Sequence, residues 1–211
     1  MLSSPRVYHQ LVSETRLAFK TKEEINVQSV QCLGYQLAVI NETFRLFPPV
    51  PSIPRRITPG EGCVIAGHHV PGDTLVAVDL WAVGHSSANF HRCREFVPER
   101  WLPASHTTIT TPDTAPDTVL LSPFSTSVNN TRPVEFDNDK RKAIQPFSVG
   151  PRNCIGKNLA YAEIRLILAR LLWEFDFELE ERSRDWMEGL RVWGFFEKGT
   201  GLWVRLRAVE R

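Results

Sequence analysis

The sequence predicts a mainly α-helical domain that carries small β-sheets, and three observations predict it. Apolar residues recur at three- and four-residue steps over 6–20, 27–47 and 156–175, the period of a helix with one face turned inward. Short β-rich runs alternate with turns rich in Gly and Pro over 54–78, and a strand pair is expected again over 178–209. The chain has 211 residues, 42% of them hydrophobic, which is ample for one packed domain and thin for two.

The elements follow in chain order. Residues 6–20 come after a Ser-Pro start, with Val7, Leu11, Leu17 and Ala18 expected on the inner face and charges opposite. Over 27–47 the inner stripe is Val30, Leu33, Leu37, Ile40 and Phe44, and a Pro-Pro-Val-Pro run closes the helix. "GCVIAG" and "TLVAV", parted by "VPGD", read as one small sheet. Residues 103–139, dominated by Thr, Ser, Pro and Asp, show neither period and read as a flexible, insertion-like surface loop. The helix over 156–175 is apolar on most sides and is expected to be largely buried, with Glu163, Arg170 and Glu174 on one stripe. At the end, a Lys-Gly-Thr-Gly turn separates two apolar runs that are expected to pair.

Charge and cysteine usage exclude several classes. With 25 basic and 24 acidic residues the net charge is +1, so the chain lacks the polycationic footprint of nucleic-acid binding. Cys32, Cys63, Cys93 and Cys154 stand about thirty or more positions apart, which fits neither a zinc site nor a disulfide framework and suits a reducing compartment. No run of apolar residues is long enough for a membrane anchor, and the first residues lack the pattern of a signal peptide. The Asn41-Glu42-Thr43 and Asn129-Asn130-Thr131 triplets match the glycosylation pattern but, without that signal, carry no weight.

Cys154 draws the chemistry together. A thiol becomes a good metal ligand only as the thiolate, and its pKa of about 8.5 means that it needs positive potential nearby. The start of the 156–175 helix supplies that potential. Gly150 and Gly156 allow a tight turn close to a flat ligand, and Pro151 stiffens the approach. Arg152 suits a carboxylate, and Phe147 offers an apolar cover on one side. A planar metal cofactor with carboxylates answers this set.

Phe147-Ser148-Val149-Gly150-Pro151-Arg152-Asn153-Cys154-Ile155-Gly156 resembles, at six fixed positions, the cysteine-ligand loop of the cytochrome P-450 haem-thiolate monooxygenases. Chance gives such a match at about one start site in a hundred million. Glu42-Thr43-Phe44-Arg45 resembles the family's E-x-x-R pair, and Pro98-Glu99-Arg100-Trp101 the segment that supplies a third structural charge. The resemblance therefore implies one buried cluster of Glu42, Arg45 and Arg100. It also implies that Arg55, with Arg56 as the alternative, meets a haem propionate. Substrate would be lined by Val50, Ser52 and Ile53 within 49–53 and by Phe195 within 193–196, stretches that serve equally as ordinary core.

The wording is similar to microsomal-type members from filamentous fungi, and it implies the carboxy-terminal part of that fold as a single partial domain, 1–211. Within it, 1–102 would hold the helices, the E-x-x-R element and the small sheet; 103–139 the loop; and 140–211 the cysteine loop, its helix and the strand pair. By resemblance the cofactor is heme b, iron protoporphyrin IX, held without covalent attachment to the porphyrin. Electrons would come from NADPH through a partner reductase, and one atom of O₂ would enter a small lipophilic substrate. The family setting is the cytosolic face of the endoplasmic reticulum membrane. Met1 falls after the family's anchor and distal oxygen-binding helix, so this chain alone is not expected to hydroxylate. Lys140, Arg141, Lys142 and Lys157 form either a reductase-docking patch or a solvated basic cluster. Two other readings stay open: a non-catalytic haem-binding fragment and an interaction module.

Overall fold

The computed structural model describes residues 1–51, 55–104, 131–192, 196–197 and 201–210. Within these, helices dominate and every sheet is a two-stranded antiparallel ladder. The helices are α1 (Pro5–Ala18), α2 (Gly34–Leu46), α3 (Leu80–His85) and α4 (Lys157–Glu174).

Helix α1 begins with Pro5 in its first turn, where the missing N–H costs nothing, and buries Val7, Leu11 and Thr15. Leu17 and Ala18, expected inside, are exposed, because the inward stripe advances in steps of four and passes through position 15. Thr15 is tolerated there because its hydroxyl donates to the Leu11 carbonyl at 2.9 Å.

The single helix expected over 27–47 is divided. Ser29–Cys32 forms a 3-10 turn, Leu33 leaves helical geometry at φ −79°, ψ 86°, and α2 starts at Gly34. Helix α2 has no capping side chain of its own. Glu14 of α1 caps it instead, its carboxylate accepting the Tyr35 and Gln36 N–H groups at 2.7 and 2.8 Å. Two positions on, Arg16 donates to the Leu172 and Phe175 carbonyls, both at 3.0 Å, at the far end of α4. Thus α1 puts an acid on the start of one helix and a base on the end of another.

The core lies between these helices. One cluster joins Val7, Leu11, Tyr35, Ala38, Val39, Leu102 and Leu172; another joins Phe19, Ile25, Val30, Leu33 and Ala169. Helix α4 differs from expectation, since only Arg165, Ala169 and Leu172 are buried and Leu159 and Ile167 are exposed. Its apolar circumference meets protein on one side only. Arg165 reaches back to the Val30 and Leu33 carbonyls at 2.8 and 3.3 Å, tying α4 to the turn before α2.

The small sheet expected over 54–78 is a pair of separate ladders. β1 (Arg56–Ile57) pairs with β4 (Leu75–Val76), and within them β2 (Cys63–Ile65) pairs with β3 (His68–Val70). The inner hairpin turns at Ala66 and Gly67, both with positive φ, the geometry that matches strand twist. The strand pair at the end also has other partners. β5 (Phe175–Leu179) pairs with β8 (Val204–Ala208), while β6 (Arg191–Val192) pairs with β7 (Phe196–Glu197). Residues 198–200 of the predicted turn, like most of 103–139, lie outside the described residues.

Candidate functional site

The ionic cluster is fully enclosed. Glu42, Arg45 and Arg100 are each 0% exposed. Arg45 grips Glu42 with Nε and Nη2, both at 2.8 Å, the i, i+3 spacing on α2 making a bidentate pair. Glu42 also accepts from Arg100 Nε at 3.1 Å, from the Val97 N–H at 2.8 Å and from Trp101 Nε1 at 2.8 Å. Arg45 donates its remaining hydrogens to the carbonyls of Gly84, Cys93 and Glu95. A buried charge set this well satisfied is structural.

Sequence reasoning missed its fourth charge. Asp139 is buried, pairs with Arg100 Nη1 and accepts the His91 N–H at 2.7 Å. Phe136, also buried, lies under the Arg100 guanidinium at 4.6 Å. Within the tail of 103–139, Phe136 and Asp139 therefore belong to the core, while most of 131–138 is exposed. The only signal was a lone Asp beside Lys140, and nothing in the spacing joined it to an arginine 39 positions earlier.

The cysteine loop has the opposite character. Phe147 and Gln145 are half-buried, while Gly150, Arg152 and Cys154 are exposed. Its backbone is left-handed at Ser148 (φ 61°) and Gly150 (φ 77°). Ser148 pays about 1–2 kcal/mol for that conformation, whereas Gly150 has no Cβ to clash. Gly156 does not share in the tight turn: its φ is −83°, and an added Cβ would meet only Cys154 Sγ, at 3.8 Å. Gly150–Arg152 is a 3-10 turn, the Cys154 N–H donates to the Phe147 carbonyl at 2.9 Å, and α4 starts three residues past Cys154. The thiol thus stands at the positive end of an 18-residue helix.

Phe147 does not stand alone as a cover. Its ring meets Phe44 of α2 at 5.5 Å and Tyr161 of α4 at 5.3 Å. Arg152 and Arg55 are exposed, and their side chains make no hydrogen bond or ion pair among the described residues. Of the basic cluster, Lys140 and Lys142 are exposed, but Arg141 turns inward to the Phe136 carbonyl at 2.7 Å. Burial and the neighbouring Arg132 push the Arg141 pKa down. Arg141 keeps its charge but is tied into the fold, unlike the two exposed lysines. Val50 is half-buried; Ser52, Ile53 and Phe195 lie outside the described residues.

These residues fit a carboxylate-bearing metal macrocycle. Among the described residues no three His, Cys, Asp or Glu side chains come together, so a metal at Cys154 would draw its other donors from a cofactor. The Arg152 and Arg55 guanidinium groups, without a hydrogen-bond or ion-pair partner among the described residues, suit acidic substituents. Among the described residues no helix is long and apolar enough to cross a membrane.

Comparison with known proteins bears on the family. The cytochrome P450 family model matches residues 1–195. An averantin hydroxylase of Dothistroma septosporum is 42% identical over 216 residues, covering all of this chain and 35% of the relative. A cytochrome P450 monooxygenase, efuB, of Hormonema carpetanum is 38% identical over 211 residues, covering all of this chain and 36% of the relative. Another, stcF of Emericella nidulans, is 40% identical over 210 residues, 98% of this chain and 37% of the relative. The chain spans little more than a third of the length of these relatives.

Proposed function

Because the chain belongs to the cytochrome P450 family, we propose that Cys154 would supply the thiolate that holds the iron of a heme b in a monooxygenase that oxidises a small lipophilic substrate. One observation carries the reading: the exposed Cys154 thiol stands at the amino end of α4, inside the six-position motif. The Cys154 N–H, committed to Phe147, fixes the backbone that aims the sulfur. Arg152 and Arg55 (Arg56 being the alternative) would pair with the cofactor's carboxylates, and Gly150, at positive φ, lets the loop turn tightly. Glu42, Arg45 and Arg100, with Asp139, hold the elements around the loop rather than touch the cofactor.

When bound, the haem supplies the redox chemistry for oxygen, and thiolate ligation pushes electron density toward O–O cleavage, as established for cysteine-ligated haem in this family. We assign the electrons to NADPH through a partner reductase, with O₂ as co-substrate. The protein's setting is the cytosolic face of the endoplasmic reticulum membrane, and Lys140, Lys142 and Lys157 are the docking cations. The averantin hydroxylases among the relatives are hydroxylases by name, which supports an organic substrate.

Haem titration tests the site in a protein that carries this chain at the full length of its relatives. The reduced carbon monoxide complex should show the red-shifted band of thiolate ligation, Cys154→Ser should abolish it, and serine at position 32, 63 or 93 should leave it intact. A thiolate-type band retained by Cys154→Ser removes the assignment.

A further inference from the structure

The shape of the cysteine loop is held from outside the loop. Three backbone bonds close it: Ser148 N–H to Gln145 O at 3.0 Å, Asn153 N–H to Gly150 O at 3.0 Å, and Cys154 N–H to Phe147 O at 2.9 Å. The last joins the sulfur-bearing residue to Phe147, the residue just before the left-handed Ser148. Unfavourable backbone of this kind persists only where its surroundings over-determine it. Those surroundings are aromatic. Phe147 sits edge-on to Phe44 at 88° and tilted against Tyr161 at 49°, and Phe44 and Tyr161 meet each other at 5.8 Å and 83°. Three rings in mutual contact leave Phe147 little freedom to rotate. The Tyr161 hydroxyl, in turn, donates to Asn41 Oδ1 at 3.1 Å, across to α2.

We propose that Tyr161 is a positioning residue for Cys154: its ring holds Phe147 so that the Phe147 carbonyl stays aligned with the Cys154 N–H. The role rests on the reading of Cys154 as the haem ligand, and it adds a residue outside the six-position motif. Tyr161 is only half-buried and joins neither of the buried clusters, yet it bridges α2, the loop and α4. Asn41 sits in mid-helix with its side chain engaged, so its triplet has this structural use.

Amide hydrogen exchange on the 211-residue chain without haem tests the alignment directly. Tyr161→Ala, and Tyr161→Leu as the bulk-preserving variant, should speed exchange at the Cys154 amide about tenfold or more, leaving Val39 and Ile40 of α2 within about threefold of wild type. Tyr161→Phe keeps the ring and should restore Cys154 protection to within about threefold of wild type. Unchanged exchange at Cys154 in the Ala and Leu variants overturns the proposal; so does equal acceleration at Val39 and Ile40, the mark of general loosening. With haem added, Tyr161→Ala should lower the share of the thiolate-type carbon monoxide band and Tyr161→Phe should recover it. A wild-type chain without that band removes the haem reading, and the exchange comparison then decides the loop-holding role by itself.

Discussion

Arg100 and Arg152 both ride on 3-10 turns, Pro98–Trp101 and Gly150–Arg152, and their surroundings are opposites. Arg100 is wholly enclosed, with Glu42, Asp139 and the carbonyls of His91 and Arg92 as acceptors and the Phe136 ring against its face. Arg152 is exposed and its side chain has no hydrogen-bond or ion-pair partner among the described residues. Removing a guanidinium from water is tolerable only when nearly every N–H finds an acceptor, so the first arginine is committed to the fold. The second keeps its hydration and stays available to a carboxylate from outside the chain. Burial commits the first guanidinium to architecture, and exposure leaves the second free for the carboxylate contact proposed for it.

The largest test of that division is Glu42→Gln. It strands Arg45 and Arg100 without their shared counter-charge, and equilibrium urea unfolding should show a loss of about 3–5 kcal/mol. Cys154→Ser, on the exposed loop, should stay within about 0.5 kcal/mol of wild type in the same assay. Comparable losses in the two variants would break the comparison.

Asp139→Asn should be intermediate. The amide oxygen keeps the His91 N–H but loses the charge opposite Arg100, a change expected to cost about 1–3 kcal/mol by the same measurement. A loss below about 0.5 kcal/mol would mean that Arg100 is satisfied by Glu42 and carbonyls alone.

The smallest effect is pH-dependent and sharpens the picture at Glu14. Burial raises its pKa above the ordinary 4.5, in spite of the Tyr35 and Gln36 N–H groups and the nearby Arg165, all of which favour the carboxylate. With the folded value above the unfolded one, the folded state takes up its proton first. The resulting stabilisation is complete below the unfolded value and is lost as pH rises through the folded one. Glu14→Gln does not titrate there, so thermal unfolding should find the variant weakest relative to wild type near pH 4.5 and gaining on it toward neutrality. A stability difference independent of pH would show that Glu14 is solvated rather than buried.

Legibility in the sequence followed the range of the interaction. The Glu42–Arg45 pair and the loop around Cys154 are local, with their spacing visible in the letters. Helices α1 and α4 lie within two residues of their expected bounds because periodicity is also local. Asp139, by contrast, meets Arg100 only after the chain has returned past residues 105–130, and no period predicts such a meeting. The break before α2 was hidden for a related reason, since the side chain that caps Tyr35 and Gln36 comes from a helix some twenty positions earlier. The apolar run after the Lys-Gly-Thr-Gly turn marked β8 as a strand without naming β5 as its partner. The apolarity of α4 said that its faces want cover and not how much of that cover this chain provides.

Gly84 of α3 is where the enclosed cluster touches the limits of sequence variation. A Cβ built there would lie 2.1 Å from the Arg45 carbonyl oxygen, and the Gly84 carbonyl itself receives Arg45 Nη1 at 2.6 Å. Every other residue type brings at least that carbon. Codon 84 therefore has no neutral destination under drift, however conservative the change looks on paper. A designer who wants a different letter at this place must first move the backbone of α3 away from α2, and in doing so gives up the carbonyl on which Arg45 relies.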